Sequence, residues 1–185
     1  MEVHIIAYVL NEQIEHTLDE LAALVAYNEI KSSVAFSESV LLYFDLLNNA
    51  LFENMLMNFS TLFDRAKNSS DDNCSFKQLQ ISCKDLLEQK YKSVIDEIDL
   101  LHSESEIALS KTIRNKLLAH KDSKKIFDLT ISPIDLITVK NTLLHGHNIV
   151  SNTFEQNIGA SIKQYDFEYV KNGYKQSLLS LLNNK

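Results

Sequence analysis

Glycine and proline are scarce in this chain. Its 185 residues include three glycines and one proline, about 2% of the sequence where average proteins use about 12%. Sheets need many tight turns, and tight turns are built preferentially from these two residues. Their scarcity argues against a sheet protein and predicts a few long helices joined by few connections.

Cysteines and long apolar runs are also rare. The two cysteines, Cys74 and Cys83, belong to a chain long enough to bury a core without disulfide bonds, and their spacing forms no metal-binding pattern. We therefore expect a reduced, cytoplasmic protein. Glu2 stands where a signal peptide would carry Lys or Arg. No apolar run approaches about 18 residues, so we expect no membrane span.

Positive charge is in deficit overall but concentrated locally. The net charge of −7 argues against general nucleic-acid binding, because a phosphate backbone is held mainly by Lys and Arg. From Lys111 to Lys125, however, six cations stand against one acid, Asp122. The sequence just upstream, residues 85–106, is strongly acidic. The basic segment contains the stretch IRNKLLAHKD, residues 113–122.

Apolar residues recur at helical spacing along most of the chain. Residues 2–31 carry the stripe Ile14, Leu18, Leu21 and Val25. Residues 37–66, the longest predicted helix, carry the stripe Val40, Phe44, Leu47, Leu51, Met55, Phe59 and Leu62, with Leu42, Leu46 and Phe52 off it. A helix this apolar around its circumference is expected to be central or to carry a partner interface. A polar loop at 67–75 precedes a helical stretch at 76–101, broken near Lys90.

Start signals mark the remaining helices. Ser103 to Glu106 has the Ser-x-x-Glu form of a capping box, and Ser132-Pro133 combines an N-cap residue with proline at the first helical position. Asp166 is expected to cap a last helix, over about 166–183, that docks on the rest. We predict an all-α bundle of about five to seven helices, forming one domain over residues 1–185.

The stretch IRNKLLAHKD combines three side chains that suit metal-free cleavage of RNA. RNA can be cut by its own 2′-hydroxyl if a catalyst moves protons and stabilises charge on the phosphate. His120 can act as general base or acid near neutral pH, the planar fork of Arg114 matches phosphate oxygens, and Asn115 can hold either by hydrogen bonds. The alternative is an ordinary solvated helix face, because His and Lys are also favoured near a helix C-terminus.

Arg114 and His120 do not share one face of a straight helix. Six positions separate them, which places them roughly 120° apart around the axis and about 9 Å apart along it. A working site would need the long reach of Arg114, a helix that ends near His120, or a second copy of the motif from another subunit.

The residue types and spacing in this stretch resemble a known signature. Arg114 and His120, with five residues between them and Asn115 after the arginine, resemble the Arg-x(4–6)-His signature of the HEPN superfamily. A second stretch, STLFDRAKNSSDDNCSFKQL at residues 60–79, places Leu-Phe-Asp at the end of a long helix, before a polar loop and a new helix. It resembles the abortive-phage-infection branch of that superfamily.

The resemblance implies a HEPN-like fold with a four- or five-helix core and a ribonuclease, of toxin or abortive-infection type, that needs neither metal nor cofactor. It also implies a homodimer in which two copies of the motif form one composite cleft for the RNA substrate. In that cleft Arg114 would stabilise the phosphate, His120 would move protons and Asn115 would orient one of them. The lysines that would guide the RNA backbone are Lys111, Lys116 and Lys121.

Other interpretations stay open. In HEPN toxins paired with a nucleotidyltransferase antitoxin, a modified Tyr stands two residues after the His. Here that position is Asp122, so this form of silencing is not supported, while another cognate antitoxin protein stays open as a partner. Many HEPN proteins bind nucleotide, RNA or a partner protein without cleaving RNA, and a purely structural helical dimer is a third interpretation.

Two further sets of residues were candidates for a site. Asp64 and Arg65 are expected to form a salt bridge, to cap a helix or to support the cleft. His145 and His147 point about 200° apart on a helix, so they are not expected to hold one metal ion.

Overall fold

The computed structural model describes residues 2–68, 71–87, 89–119 and 134–183, and this part of the chain forms seven helices. They are α1 (Val3–Ser33), α2 (Glu38–Thr61), α3 (Phe76–Leu87), α4 (Lys92–Leu101), α5 (Ser105–Ala119), α6 (Leu136–Ile158) and α7 (Phe167–Asn183). Two short strands, β1 (Lys67–Asn68) and β2 (Asp71–Asp72), pair antiparallel between α2 and α3. The predicted all-α architecture is confirmed, and within the predicted polar loop the strand pair is an addition.

Helix α1 is the centre of the fold. It packs against α6, α7, α2 and α3, and its predicted stripe lies in the core, where Ile14, Leu18 and Leu21 are fully buried. The prediction that the second helix is the longest was wrong, because α1 spans 31 residues and α2 spans 24. Only the last turns of α2 enter the core, through Met55, Leu56 and Phe59.

Helix boundaries differ from the sequence signals at two places. The predicted capping box is wrong, because α5 begins at Ser105 and the Ser103 hydroxyl donates to the Leu100 carbonyl at the end of α4 instead. Helix α6 begins at Leu136, where the side chain of Asp135 accepts the backbone N–H of Ile137 at 2.9 Å. It therefore starts later than predicted, and Ser132-Pro133 lies outside the described residues.

Two other boundaries follow the predictions, and a glycine marks a third boundary. The helical stretch at 76–101 is divided between Leu87 and Lys92, around the expected break near Lys90. Gly159 ends α6 in the left-handed region, at φ 73°, where glycine has no steric penalty. Asp166 caps α7, since its carboxylate accepts the backbone N–H of Tyr169 at 3.0 Å.

The connection from α2 to α3 fixes the backbone beside the candidate site. The Phe76 N–H donates to the Leu62 carbonyl at 2.9 Å, and the ring of Phe63 stacks on Phe76 with centroids 5.3 Å apart. Phe59 meets the other side of Phe63 edge-on, also at 5.3 Å. This aromatic stack holds the last turn of α2, so the next residue, Asp64, has a defined position.

None of the helices in the described residues combines the length and apolarity that crossing a bilayer requires.

Candidate functional site

Arg114 is held by Asp64. Helix α5 packs against α2, and the Arg114 Nη1 donates to both Asp64 carboxylate oxygens, at 3.0 Å and 2.8 Å. The two side chains are only 15% and 27% exposed. Asp64 forms a salt bridge, as expected, but its partner is Arg114, which was not predicted from the sequence. The bridge joins the two sequence stretches that suggested the resemblance.

Lys111 lies one helical turn before Arg114 and contacts the same region. Its Nζ donates to the Phe63 carbonyl at 2.5 Å, so the lysine also ties α5 to the end of α2. Burial lowers the pKa of Lys111, while the neighbouring Asp64 carboxylate raises it and the Arg114 charge lowers it further. Lys111 is therefore partly buried and lies close enough to the Asp64–Arg114 pair to be influenced by both charges.

The cluster of Asp64, Lys111 and Arg114 carries two cations and one carboxylate. One unit of positive charge is therefore left over in a partly buried place, where electrostatic interactions are stronger than in bulk water. A guanidinium has five N–H donors, and the Asp64 contact uses those of one nitrogen. Such an arrangement suits an anion such as a phosphate.

The remaining predicted site residues are only partly described. Asn115 lies on α5 next to Arg114, and its side chain is exposed. The backbone of Lys116 is helical, but its side chain lies outside the described part of the structure, as do His120, Lys121 and Asp122 entirely. The structure therefore brings Arg114 and Lys111 together, and the placement of His120 beside them stays a prediction.

Histidines elsewhere have structural partners. His147 is buried and lies 3.3 Å from the Glu15 carboxylate of α1, which also accepts the side-chain amide of Asn11. His145 faces Glu97 of α4 instead, at 3.6 Å. In the described ranges no three His, Cys, Asp or Glu side chains are grouped so as to hold a metal ion.

Sequence reasoning did not identify the aromatic support of the site. From the sequence, Phe63 is placed only in the Leu-Phe-Asp at the end of a long helix, and Phe76 only at the start of the next helical stretch. A usable signal was present, because Phe63 directly precedes Asp64 and Phe76 opens the next helix. The pattern does not reveal that the two rings stack, since that contact closes across the polar loop.

The comparisons with known proteins agree with this architecture. The family model described as AbiU2, of the HEPN class, matches residues 5–143, a range that contains α1 except its first two residues, α2 to α5 and the first turns of α6. No curated protein and no solved structure matches this chain. Since the matched range covers well over half of the chain and includes both Asp64 and Arg114, the chain belongs to the AbiU2 family of HEPN proteins.

Proposed function

We propose that this protein is a metal-independent endoribonuclease of the abortive-infection type, a toxin whose site is built around Arg114 and completed by a second copy of the chain. The observation that carries the proposal is the Asp64–Arg114 pair, which fixes a guanidinium beside Lys111 on the helix that leads to His120. A positioned cation of this kind stabilises charge that develops on a phosphate without reorganising during the reaction.

Each residue has a distinct part in the proposed reaction. Arg114 stabilises the negative charge on the phosphate, His120 transfers protons and Asn115 orients one of these groups. Lys111 adds positive charge next to the guanidinium, while Lys116 and Lys121 guide the RNA backbone. The proposed site acts as a homodimer, as the family resemblance implies. A second copy is one way in which Arg114 and a histidine six positions later, which do not share one face of a straight helix, can act on the same phosphate.

The proposal covers the whole chain, residues 1–185, as one domain. Helix α6 continues without a break past the end of the family match, and α7 packs against α1. Two lysines of α7, Lys171 and Lys175, contact Glu29 of α1 at 3.0 Å and 2.9 Å. We further propose that the protein acts in the cytoplasm, where its RNA substrate is found, under the control of an antitoxin protein or a phage-derived trigger.

A second candidate is a non-catalytic HEPN module that binds nucleotide, RNA or a partner protein. The observation that favours it is the coverage of the Arg114 side chain, which is 15% exposed and already satisfied by a carboxylate. In this alternative the Asp64–Arg114 pair holds α5 to α2, and the exposed cations of the basic segment bind the ligand.

RNA cleavage by the purified protein tests the proposal. We expect cleavage in the presence of EDTA, with 2′,3′-cyclic phosphate ends, because the 2′-hydroxyl is the nucleophile. His120→Ala and Arg114→Ala should each lower the rate by about 100-fold or more, the usual range for a lost acid–base or charge-stabilising group. His16→Ala is the matched control, since His16 is exposed on α1, paired with Glu20, and should cut at the wild-type rate.

Two outcomes would count against the proposal. The non-catalytic module is supported if RNA binds in a salt-dependent way but is not cut, and if replacing Lys116 and Lys121 weakens this binding. If His120→Ala cuts as fast as the wild type, the assigned mechanism is wrong even though the protein is a nuclease.

A further inference from the structure

The first half of α2 exposes an apolar face. Leu42, Tyr43, Leu46 and Leu47 are 66%, 67%, 64% and 41% exposed, although they lie in the middle of a regular helix. The opposite side of the same turns is packed, since Phe44 stacks on Tyr27 of α1 with ring centroids 5.2 Å apart. Helix α2 therefore packs against α1 on one side and exposes apolar side chains on the other.

Charge is nearly absent from this face. A solvent-facing helix surface normally carries polar and charged residues. Here the exposed acids of α2, Glu38 and Glu53, lie before and after this apolar segment of the helix. Between them the one charged side chain, Asp45, is paired with Lys31 of α1 at 2.5 Å. We call the surface formed by Leu42, Tyr43, Leu46 and Leu47 the α2 face.

The α2 face has the size and shape of one half of an interface. Exposures of this magnitude on three leucines and a tyrosine leave about 500 Å² of mostly apolar surface, near the top of the range that monomeric proteins show. The side chains form two adjacent rows with a spacing of four residues, which are the ridges that fit into the grooves of another helix.

We infer that the α2 face binds the α2 face of a second copy of the chain, around a two-fold axis. Self-pairing places about 1,000 Å² of this surface in contact, the minimum for a specific interface, and the margins add to it. A two-fold axis places two identical patches in contact, so the interface needs no second, different surface.

The charge distribution favours a second copy over a charged partner. Two chains of net charge −7 repel each other over most of their surfaces. The α2 face is a region where that repulsion is weakest, because its centre is uncharged and the Lys31–Asp45 pair beside it is neutral as a unit. A strongly basic or acidic partner would find no opposite charge at the centre of the face.

The inference deepens the homodimer part of the proposed function, but the two can fail separately. From Leu46 to the end of α2 at Thr61 is 15 residues, about 22 Å along the axis, and Asp64 follows that end. If the paired helices run in the same direction, both Asp64–Arg114 pairs lie at the same end of the dimer. If they run in opposite directions, the two ends are about 45 Å apart and cannot share one cleft.

Light scattering coupled to gel filtration, over protein concentrations from about 1 to 200 µM, tests the interface. We expect the wild type to be a dimer and the double variant Leu42→Glu, Leu46→Glu to be a monomer, with the dissociation constant raised at least 100-fold by buried like charges. The matched control is Leu100→Glu on α4, since Leu100 is 61% exposed and lies outside the α2 face. It should remain dimeric.

The circular dichroism spectrum of the double variant should match that of the wild type, because both leucines are already in solvent in one chain. Its thermal midpoint should be lower and independent of protein concentration, whereas that of the dimeric wild type should rise with concentration. A wild type that stays monomeric up to 200 µM would overturn the inference. So would a double variant that is folded and as dimeric as the wild type, or one that loses its helices.

Cysteine cross-linking then separates this inference from the proposed function. Helices that run in the same direction should give disulfide dimers of Leu42→Cys alone and of Asn49→Cys alone. Opposite directions should give dimers mainly when Leu42→Cys is mixed with Leu47→Cys or Ala50→Cys. The second result would support the α2 interface and overturn the composite cleft. The unaltered chain, with Cys74 and Cys83, is the control for background cross-linking.

Discussion

The Asp64–Arg114 ion pair should be strongly coupled in a double-mutant cycle. Asp64→Ala leaves the guanidinium of Arg114 mostly covered without its carboxylate, and it leaves Arg114 and Lys111 as two neighbouring cations. Arg114→Ala is milder, because Lys111 still interacts with the Asp64 carboxylate. We therefore expect Asp64→Ala to lower the free energy of unfolding more than Arg114→Ala does.

The magnitude follows from how far the pair is covered. Fully exposed salt bridges contribute about 0–1 kcal/mol, and breaking a fully buried pair costs about 3–5 kcal/mol. With side chains 15% and 27% exposed, the pair lies between these limits, so we expect a coupling energy of about 1–3 kcal/mol. A loss of about 2 kcal/mol should lower the thermal midpoint by about 4–8 °C in a chain of this length.

Urea unfolding followed by circular dichroism, at one protein concentration, measures the four free energies of the cycle. The pair Lys31–Asp45 supplies a matched control in the same chain, because its side chains are 39% and 46% exposed, and its coupling should be clearly weaker. If the two pairs couple equally, or if Asp64 and Arg114 couple by less than about 0.5 kcal/mol, the partly buried bridge does not fix Arg114 as argued.

Two further predictions concern packing and pH. A Cβ at Gly146 would lie 2.7 Å from the Phe76 ring, whereas nothing lies within 4 Å of one at Gly173. Gly146→Ala should therefore destabilise the fold by about 1–3 kcal/mol in urea unfolding, while Gly173→Ala stabilises it by up to about 1 kcal/mol, and a stabilising Gly146→Ala would contradict the observed contact. Hydrogen bonds from Lys175 and a second lysine of α7 hold the pKa of Glu29 below its ordinary value of 4.5. A lowered folded-state pKa stabilises the protein above about pH 4.5, and this contribution is lost as the pH falls through the folded-state pKa. At pH 7 the wild type should therefore have a higher melting temperature than Glu29→Gln, and its free energy of unfolding should be higher by less than about 1 kcal/mol, as for an exposed pair. The two melting temperatures should converge near pH 3. A constant difference between them would refute the assignment.

Much of the fold follows from the apolar stripes, which report local periodicity. The stripe of α1 was predicted correctly, since Ile14, Leu18 and Leu21 are buried. The stripe of the second helix was predicted with equal regularity, yet Leu47 is exposed and Phe59 is buried on the same line. Periodicity defines a face, but which turns are covered depends on how far the neighbouring helices extend, and a single-helix pattern contains no such information.

Asp64, Lys111 and Arg114 could be singled out from the sequence, but the contacts among them could not. The stretch around Arg114 and the stretch around Asp64 were each noticed, and they are 50 positions apart in the sequence. Their contact requires that α5 pack on α2 and that Phe63 stack on Phe76, both of which are tertiary events. The capping signal at Ser103 failed for a related reason, since its hydroxyl donates to the preceding helix instead of starting the next one.

Helix α2 therefore has two separable parts, and this separation makes the proposals independent of each other. Its last turns are anchored in the core and position Asp64, whereas its first turns present Leu42 and Leu46 to solvent. Charges introduced at Leu42 and Leu46 should leave the Asp64–Arg114 coupling energy unchanged, because about 22 Å of helix separates them from the end of α2. If that variant is monomeric, retains the coupling and no longer cuts RNA, then each chain holds its own Arg114 correctly and catalysis requires the second copy. If it is monomeric and cuts RNA at the wild-type rate, one chain is sufficient and the composite cleft is wrong.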